Sequence, residues 1–198
     1  MARKSNFDRD EKLIEAMQLF WQQGYANTSI SDLVAHLGIN RFSIYNAFGD
    51  KYALYQEALE YYFEHTSKPA AQMLFYPEAD LHTLESFLLA FVERQKQQQF
   101  GCFIQNALLE HGPRDQSVQG VGNKLMLHLS DGVTHCLSNA IKLGQLHPQA
   151  DLSGLVSLIV THIQGIRVLG KAAQYGYLET ATQALFGLLK SQKLDSIH

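Results

Sequence analysis

The chain places two helix-start signals eleven residues apart, at Ser29 and Asn40, with a single glycine between them at Gly38. That spacing constrains the fold more than any other feature. In the segment SISDLVAHLGINRFSIYNAFGDK, residues 29–51, the run Ser29-Ile30-Ser31-Asp32 has the form of a capping box. There a hydroxyl and an acidic side chain three residues on satisfy the free N–H groups of a helix start. Leu33, Val34 and Leu37 give that helix an apolar face, Gly38 is suited to end it in the left-handed conformation, and Asn40 can cap the next helix. From Arg41 to Phe48 the apolar Ile44 and Phe48 fall four apart and face the core. Arg41, Phe42, Ser43, Tyr45 and Asn46 are left open to a partner. Two short helices joined by so tight a turn make a helix-turn-helix, whose second helix can lie in a major groove of DNA.

The periodicity is helical almost throughout, and the fold class expected is all-α. Leu13, Ala16, Met17, Phe20 and Trp21 form a stripe on a first helix that ends at Gly24. A fourth helix should run from Asp50 or Lys51 to near Ser67, because Pro69 cannot continue a helix without distortion. Further helices are predicted at about 82–99, 101–111, 116–144, 152–175 and 178–191, punctuated by Pro77, Gly112-Pro113 and His147-Pro148. The polar run QKQQQ, Gln95 to Gln99, reads as the solvated end of a helix. The division expected is an N-terminal helix-turn-helix domain over 1–50 and a larger helical domain over 51–198, with 51–67 as the linking helix.

Residues 10 to 59 resemble the tetracycline-repressor (TetR) family of bacterial transcriptional regulators. The resemblance rests on LIEAMQLFWQQGYANTSI, on the turn LGIN, on the recognition segment RFSIYNAF and on GDKYAL, which opens the fourth helix. It implies that Thr28, Tyr45 and Lys51 contact phosphates. Arg41 and Asn46 are the residues expected to read bases, since guanidinium and amide groups pair bidentately with guanine and adenine edges, with Ser43 beside them. Ser29 could meet a phosphate through its hydroxyl or its helix N-terminus. Phe42 departs from the family, where glycine or another small residue is commoner; its ring could touch a thymine methyl or pack on the sugar backbone.

At 198 residues, with 46% hydrophobic and 18% charged residues, the chain can bury a real core. It shows no uninterrupted apolar run of about 18 residues, and the start MARKSNFDRDEK is polar, so the reading is cytoplasmic. Cys102 and Cys136 lack paired metal-ligand spacing and are expected to be reduced thiols. Charge speaks least for DNA: residues 1 to 51 carry six Lys/Arg (Arg3, Lys4, Arg9, Lys12, Arg41, Lys51) against six Asp/Glu, within an overall charge of −3. A protein relying on bulk attraction would be more basic, so few phosphate contacts per subunit and dependence on a dimer are expected.

The last two helices suggest how that dimer forms. Leu152, Leu155, Val156, Ile159, Ile163 and Ile166 make one stripe, yet Leu158, Val160 and Leu169 are apolar on other faces. Leu178, Ala181, Leu185, Leu188 and Leu189 make a second amphipathic helix, and Gly154, Ser157 and Gly165 allow close helix approach. The resemblance implies a homodimer through a four-helix bundle near 152–175 and 178–191, set on a pseudo-palindromic double-stranded operator.

Control of transcription further requires something that shifts the population between DNA-bound and released states, and an apolar or aromatic small molecule is the default effector. Tyr61, Phe63, Phe75, Phe87, Phe91, Phe103 and Met126 lie on the helices that surround the ligand cavity in the family, although an aromatic stripe is more often core. The segment FGCFIQNALLE resembles a Gly-Cys motif of a subset of these regulators that includes electrophile and redox sensors. A thiol at Cys102 near a helix N-terminus would be favoured as thiolate by the dipole, whereas a free cysteine is ordinarily a small buried hydrophobe.

Other motifs lead nowhere. Gly165-Ile-Arg-Val-Leu-Gly170-Lys171 opens like a P-loop, but Ala172 stands where Ser or Thr is required and no strand precedes it. His128 and His135 are two turns apart, about 10 Å along a helix, too far to share one ion. With no HExxH, no GxSxG and no carboxylate pair, nothing supports an enzyme, a cofactor or a metal site. The conclusion is a ligand-responsive DNA-binding regulator whose expected sign is that of a repressor. The rival is a helical small-molecule-binding or redox-sensing protein that does not use its N-terminal domain on DNA.

Overall fold

In a computed structural model the protein is described over residues 7–98 and 100–191, and every regular element among the described residues is helical. In chain order these are α1 (Arg9–Gln23), α2 (Ile30–Leu37), α3 (Arg41–Phe48), α4 (Lys51–Tyr62), the single turn α5 (Lys68–Ala70), α6 (Leu81–Gln97), α7 (Phe103–His111), α8 (Gln116–Lys142), α9 (Leu152–Lys171) and α10 (Leu178–Ser191). The bounds fall within a few residues of those read from the sequence. α4 departs in one respect: α geometry stops at Tyr62, and the chain goes on as a wider π turn over Phe63–Ser67. Pro69 falls in α5, which follows that π turn without a break. The basic Arg3 and Lys4, and Gln99 at the end of the polar run, lie outside the described residues.

The structure groups into two compact units that do not follow a cut at residue 50. The first extends to Ser67 and takes in Cys102–Leu125; the second comprises Lys68–Gly101 and the chain from Met126 onward. In the first unit α4 packs along α1 through an aromatic cluster. Tyr55 stands edge-on to Phe20 at 5.1 Å and to Phe103 at 5.6 Å, while Tyr62 meets Trp21 at 5.1 Å and Phe103 at 5.7 Å. Such pairs add about 1 kcal/mol each beyond the area they bury. The cluster draws α4 and α7 into the body formed by the first three helices, and for this reason the unit outruns the helix-turn-helix.

In the second unit α6 packs on α9 and α10. Leu84, Phe87, Leu88 and Val92 of α6, Ile159, Ile163 and Ile166 of α9, and Leu185, Phe186 and Leu189 of α10 are all buried. Two polar ties fix its ends. Lys190 donates to both carboxylate oxygens of Glu85 at 2.9 and 2.7 Å, and Gln145 bridges Asp80 and the backbone N–H of Leu81. Asp80 caps α6; burial opposes its charge, but the hydrogen bonds from Gln145, Thr83 and His82 prevail and hold its carboxyl below the ordinary range.

Candidate nucleic-acid interface

The helix-turn-helix is built by its caps. Ser29 Oγ accepts the N–H of Asp32 at 3.1 Å while Asp32 accepts the N–H of Ser29 at 2.8 Å, a reciprocal capping box. These hydrogen bonds keep the Asp32 carboxyl below its usual range. Gly38 ends α2 at φ 64°, ψ 18°, in the left-handed region, and Asn40 accepts the N–H of Ser43 at 2.8 Å to start α3. Asp50 then caps α4 by accepting from Ala53 at 2.8 Å.

With those ends fixed, Ile44 and Phe48 are the buried face of α3, and Arg41, Phe42 and Asn46 are exposed on the other. Phe42 is 74% exposed, a large apolar surface for a side chain in the middle of a polar helix face. Ser43 and Tyr45 are half-buried beside it. Arg41 lies along Tyr45: its guanidinium donates to the phenol oxygen at 3.2 Å and sits 5.4 Å from the ring centre. The two side chains thus form one amphipathic ridge. Ser29 is exposed, and with its Oγ accepting from Asp32 its hydroxyl hydrogen remains free to donate.

Thr28 is a correction. Expected to touch a phosphate, it is fully buried, and its hydroxyl donates to the carbonyl of Gly24 at 2.7 Å. It braces the turn between α1 and α2 from inside. Lys51 is half-buried with its ammonium 4.0 Å from the ring centre of Tyr25, a cation–π contact that holds it at the N-terminal end of α4.

Other residues of this surface carry no sequence motif that would have singled them out. Arg9, counted above only as a charge, donates Nε–H to the carbonyl of Ala47 at 3.1 Å and contacts both oxygens of Glu57, with its guanidinium 4.6 Å from the ring centre of Phe48. Glu110 accepts the backbone N–H groups of Tyr25 and Ala26, and Asp115 accepts the hydroxyl of Tyr52 at 2.6 Å. All are long-range partnerships between residues far apart in sequence.

The expected effector-pocket residues divide between the units. Tyr61, Phe63, Cys102 and Phe103 belong to the first, and Phe87, Phe91 and Met126 to the second. In the first, Phe63, Cys102 and Phe103 are buried, and Tyr61 stacks on His65 at 4.0 Å. In the second, Phe87 stacks on Phe91 at 6.0 Å, and the guanidiniums of Arg94 and Arg167 each lie 5.5 Å from the Phe91 ring centre. Phe75 stacks on His128 at 4.6 Å. A cleft of about 390 Å³ in the first unit is lined by Gln56, Leu59, Glu60, Ser117, Gly120, Val121 and Lys124. Cys102 stands at the N-terminal boundary of α7, 5% exposed. Cys136 is fully buried, its thiol donating to the carbonyl of Leu74 at 3.5 Å. Both are free thiols. His135 is hydrogen-bonded to the carbonyl of Tyr76 and His162 to Thr182, each thus committed within its own surroundings.

This arrangement of surface and scaffold has relatives. Residues 13–58 match the description "Bacterial regulatory proteins, tetR family", and residues 77–185 match "Tetracyclin repressor-like, C-terminal domain". The chain is 29% identical over 158 residues to the uncharacterized HTH-type transcriptional regulator YezE of Bacillus subtilis, covering 78% of this chain and 81% of the other. It is 26% identical over 169 residues to the HTH-type transcriptional repressor ComR of Escherichia coli, covering 84% and 80%. Among solved structures, a cysteine-substituted form of the regulator CifR in complex with 26-base-pair operator DNA superimposes with a TM-score of 0.80 at 25% identity, over 95% of this chain and 100% of that one.

Proposed function

Because the chain belongs to the TetR family of bacterial regulatory proteins, we propose that it is a dimeric, sequence-specific DNA-binding repressor, released from its operator by a small molecule. The observation that carries this reading is the exposed face of α3. Arg41, Phe42 and Asn46 project from a helix whose opposite face is locked into the core by Ile44 and Phe48. Arg41 would pair with a guanine edge and Asn46 with an adenine edge, with Ser43 between them and Phe42 against a thymine methyl or sugar. Tyr45, Lys51 and Ser29 would fix register on phosphates. The resemblance to ComR, named a repressor, and to CifR, solved on its operator, supports both the partner and the sign of regulation.

Dimerisation is supported by what α9 and α10 leave uncovered. α9 is long and apolar enough to cross a membrane by length and composition, yet only 22% of its most apolar window is buried. One face packs inward through Ile159, Ile163 and Ile166, while Gly154, Leu158, Thr161 and Val168 stay exposed at intervals of three, four and seven residues. Ala181, Ala184 and Leu188 repeat that spacing on α10. This is the seam of a left-handed helix bundle, and a second copy supplies the matching surface.

In this reading residues 1–50 act on DNA in the cytoplasm and residues 51–198 bind effector and partner, with 51–67 as the lever. An effector, apolar or electrophilic, would tilt α4 and alter the spacing of the two recognition helices against half-sites about one or two helical turns apart.

The test is selection of duplexes from a random-sequence pool by the purified protein, followed by fluorescence anisotropy on the enriched sequence at several salt concentrations and light scattering for mass. Enrichment of a pseudo-palindrome, bound by a dimer with steep salt dependence and tighter than random DNA, is expected. No enrichment, with equal binding to every duplex, would overturn the reading in favour of a ligand-binding protein that does not use DNA.

A further inference from the structure

The turn that precedes α2 is held by a residue outside the helix-turn-helix. Glu110, at the penultimate position of α7, accepts the N–H of Tyr25 at 3.0 Å with Oε2 and that of Ala26 at 2.6 Å with Oε1, across 85 and 84 residues of sequence. Gly24 permits it: its φ of +83° suits glycine, and a Cβ there would stand 3.1 Å from Glu110 Oε2. From the other side Thr28 ties the same turn by donating to the carbonyl of Gly24.

Tyr25, so fixed at its backbone, is the floor on which Lys51 rests. Its ring is also packed by His111 at 5.2 Å, Tyr55 at 4.8 Å and Tyr52 at 5.9 Å. Tyr52 in turn donates to Asp115, which caps α8 by accepting from Ser117 and Val118 and lies 3.3 Å from His111 Nδ1. The segment from Glu110 to Asp115 therefore meets the turn and the start of α4 at once, all within one compact unit.

We propose that Glu110 is a positioning residue for DNA recognition. Its carboxylate sets the α1–α2 turn and, through Tyr25, the place from which the Lys51 ammonium meets a phosphate. Carboxylate bonds to two backbone N–H groups are strong and directional, so a shift of the end of α7 carries the turn with it. Glu110 is itself exposed and its truncation leaves no cavity in the core, so the fold stands while the turn is freed. This rests on the DNA-binding reading above.

The experiment uses the full-length protein and the duplex selected by the wild type, with Glu110→Ala, Glu110→Gln and Lys51→Ala compared by anisotropy across a salt series and by thermal unfolding. Glu110→Ala is expected to weaken binding roughly tenfold and to lower the slope of log affinity against log salt by about one, the loss of one phosphate contact. Glu110→Gln, which keeps one acceptor oxygen, should fall between. Lys51→Ala should reproduce the slope change, and the double variant should lose no more than either single one. Unchanged affinity and slope in a folded Glu110→Ala, or losses that simply multiply in the double variant, would overturn the proposal alone. A wild type that selects no duplex would overturn the DNA-binding reading first.

Discussion

Arg9 and Glu57 join the first and fourth helices across the helix-turn-helix: one terminal nitrogen of the guanidinium lies 2.8 and 2.7 Å from the two carboxylate oxygens, and Nε donates to the carbonyl of Ala47 in the last turn of α3. The recognition helix is therefore anchored at its C-terminal end by a side chain from α1. Both partners are partly exposed, at 43% and 39%, so screening keeps their attraction modest. Arg9→Ala is expected to lower stability by about 1 kcal/mol, or Tm by about 3 °C, and to weaken operator binding further than that loss implies. Arg9→Lys should restore little, because an ammonium cannot serve Ala47 and Glu57 together in the fork geometry. Thermal unfolding and anisotropy on the same preparations decide it.

Phe42 and Arg41 should separate by the kind of DNA they discriminate. Phe42→Ala removes a ring that is exposed and stabilises nothing, so stability should stay within about 0.5 kcal/mol while operator affinity falls. Arg41→Ala should cost about 1–3 kcal/mol on the operator and much less on random duplex. Equal losses on both duplexes would reassign Arg41 to the phosphates.

Acid should act through Asp115. The hydrogen bond from Tyr52 above all, aided by the N–H groups of Val118 and Ser117 and by His111, holds its carboxyl below the ordinary value despite opposing burial. A carboxyl depressed in the folded state contributes stability that is fully present above its unfolded value of about 3.9 and is lost as pH falls through the folded value. Asp115→Asn should therefore be less stable than wild type at neutral pH, with the gap closing in the acid range below about pH 4. Chemical denaturation at a series of pH values measures it. A gap of constant size would show that Asp115 works through shape alone.

Both thiols should be slow to react in the folded protein. Burial, with a smaller push from the charge of Asp80, takes the Cys136 thiol up to about 12, and Cys102 is enclosed at the start of α7. A coloured disulfide reagent at neutral pH is expected to modify neither at the rate seen after unfolding, and Cys102→Ser should bind the operator as wild type does. Rapid modification of Cys102 with release of DNA would instead establish it as the sensor.

Much of this was legible beforehand because it is local. Ser29, Asp32, Gly38, Asn40 and Asp50 act within four residues of themselves, so the caps and turn could be read directly and the outward face of α3 followed from Ile44 and Phe48. The phosphate role expected of Thr28 came from the family resemblance alone, while its burial and its bond to the Gly24 carbonyl are decided by packing. The aromatic residues named as candidate pocket lining divide between two compact units, and a stripe of rings fixes which face is apolar but not what it faces.

Sequence by itself determined an all-helical chain, the place of nearly every helix, the helix-turn-helix and the side chains it turns outward, for these follow from hydrogen bonds and periodicities that close within a turn or two. Tertiary structure alone decided that Arg9 holds the recognition helix, that Glu110 grips the turn before α2, that Tyr52 leans on Asp115 and that Thr28 faces inward. Those partners lie tens of residues apart, and a pairing at that separation is chosen by how whole helices pack.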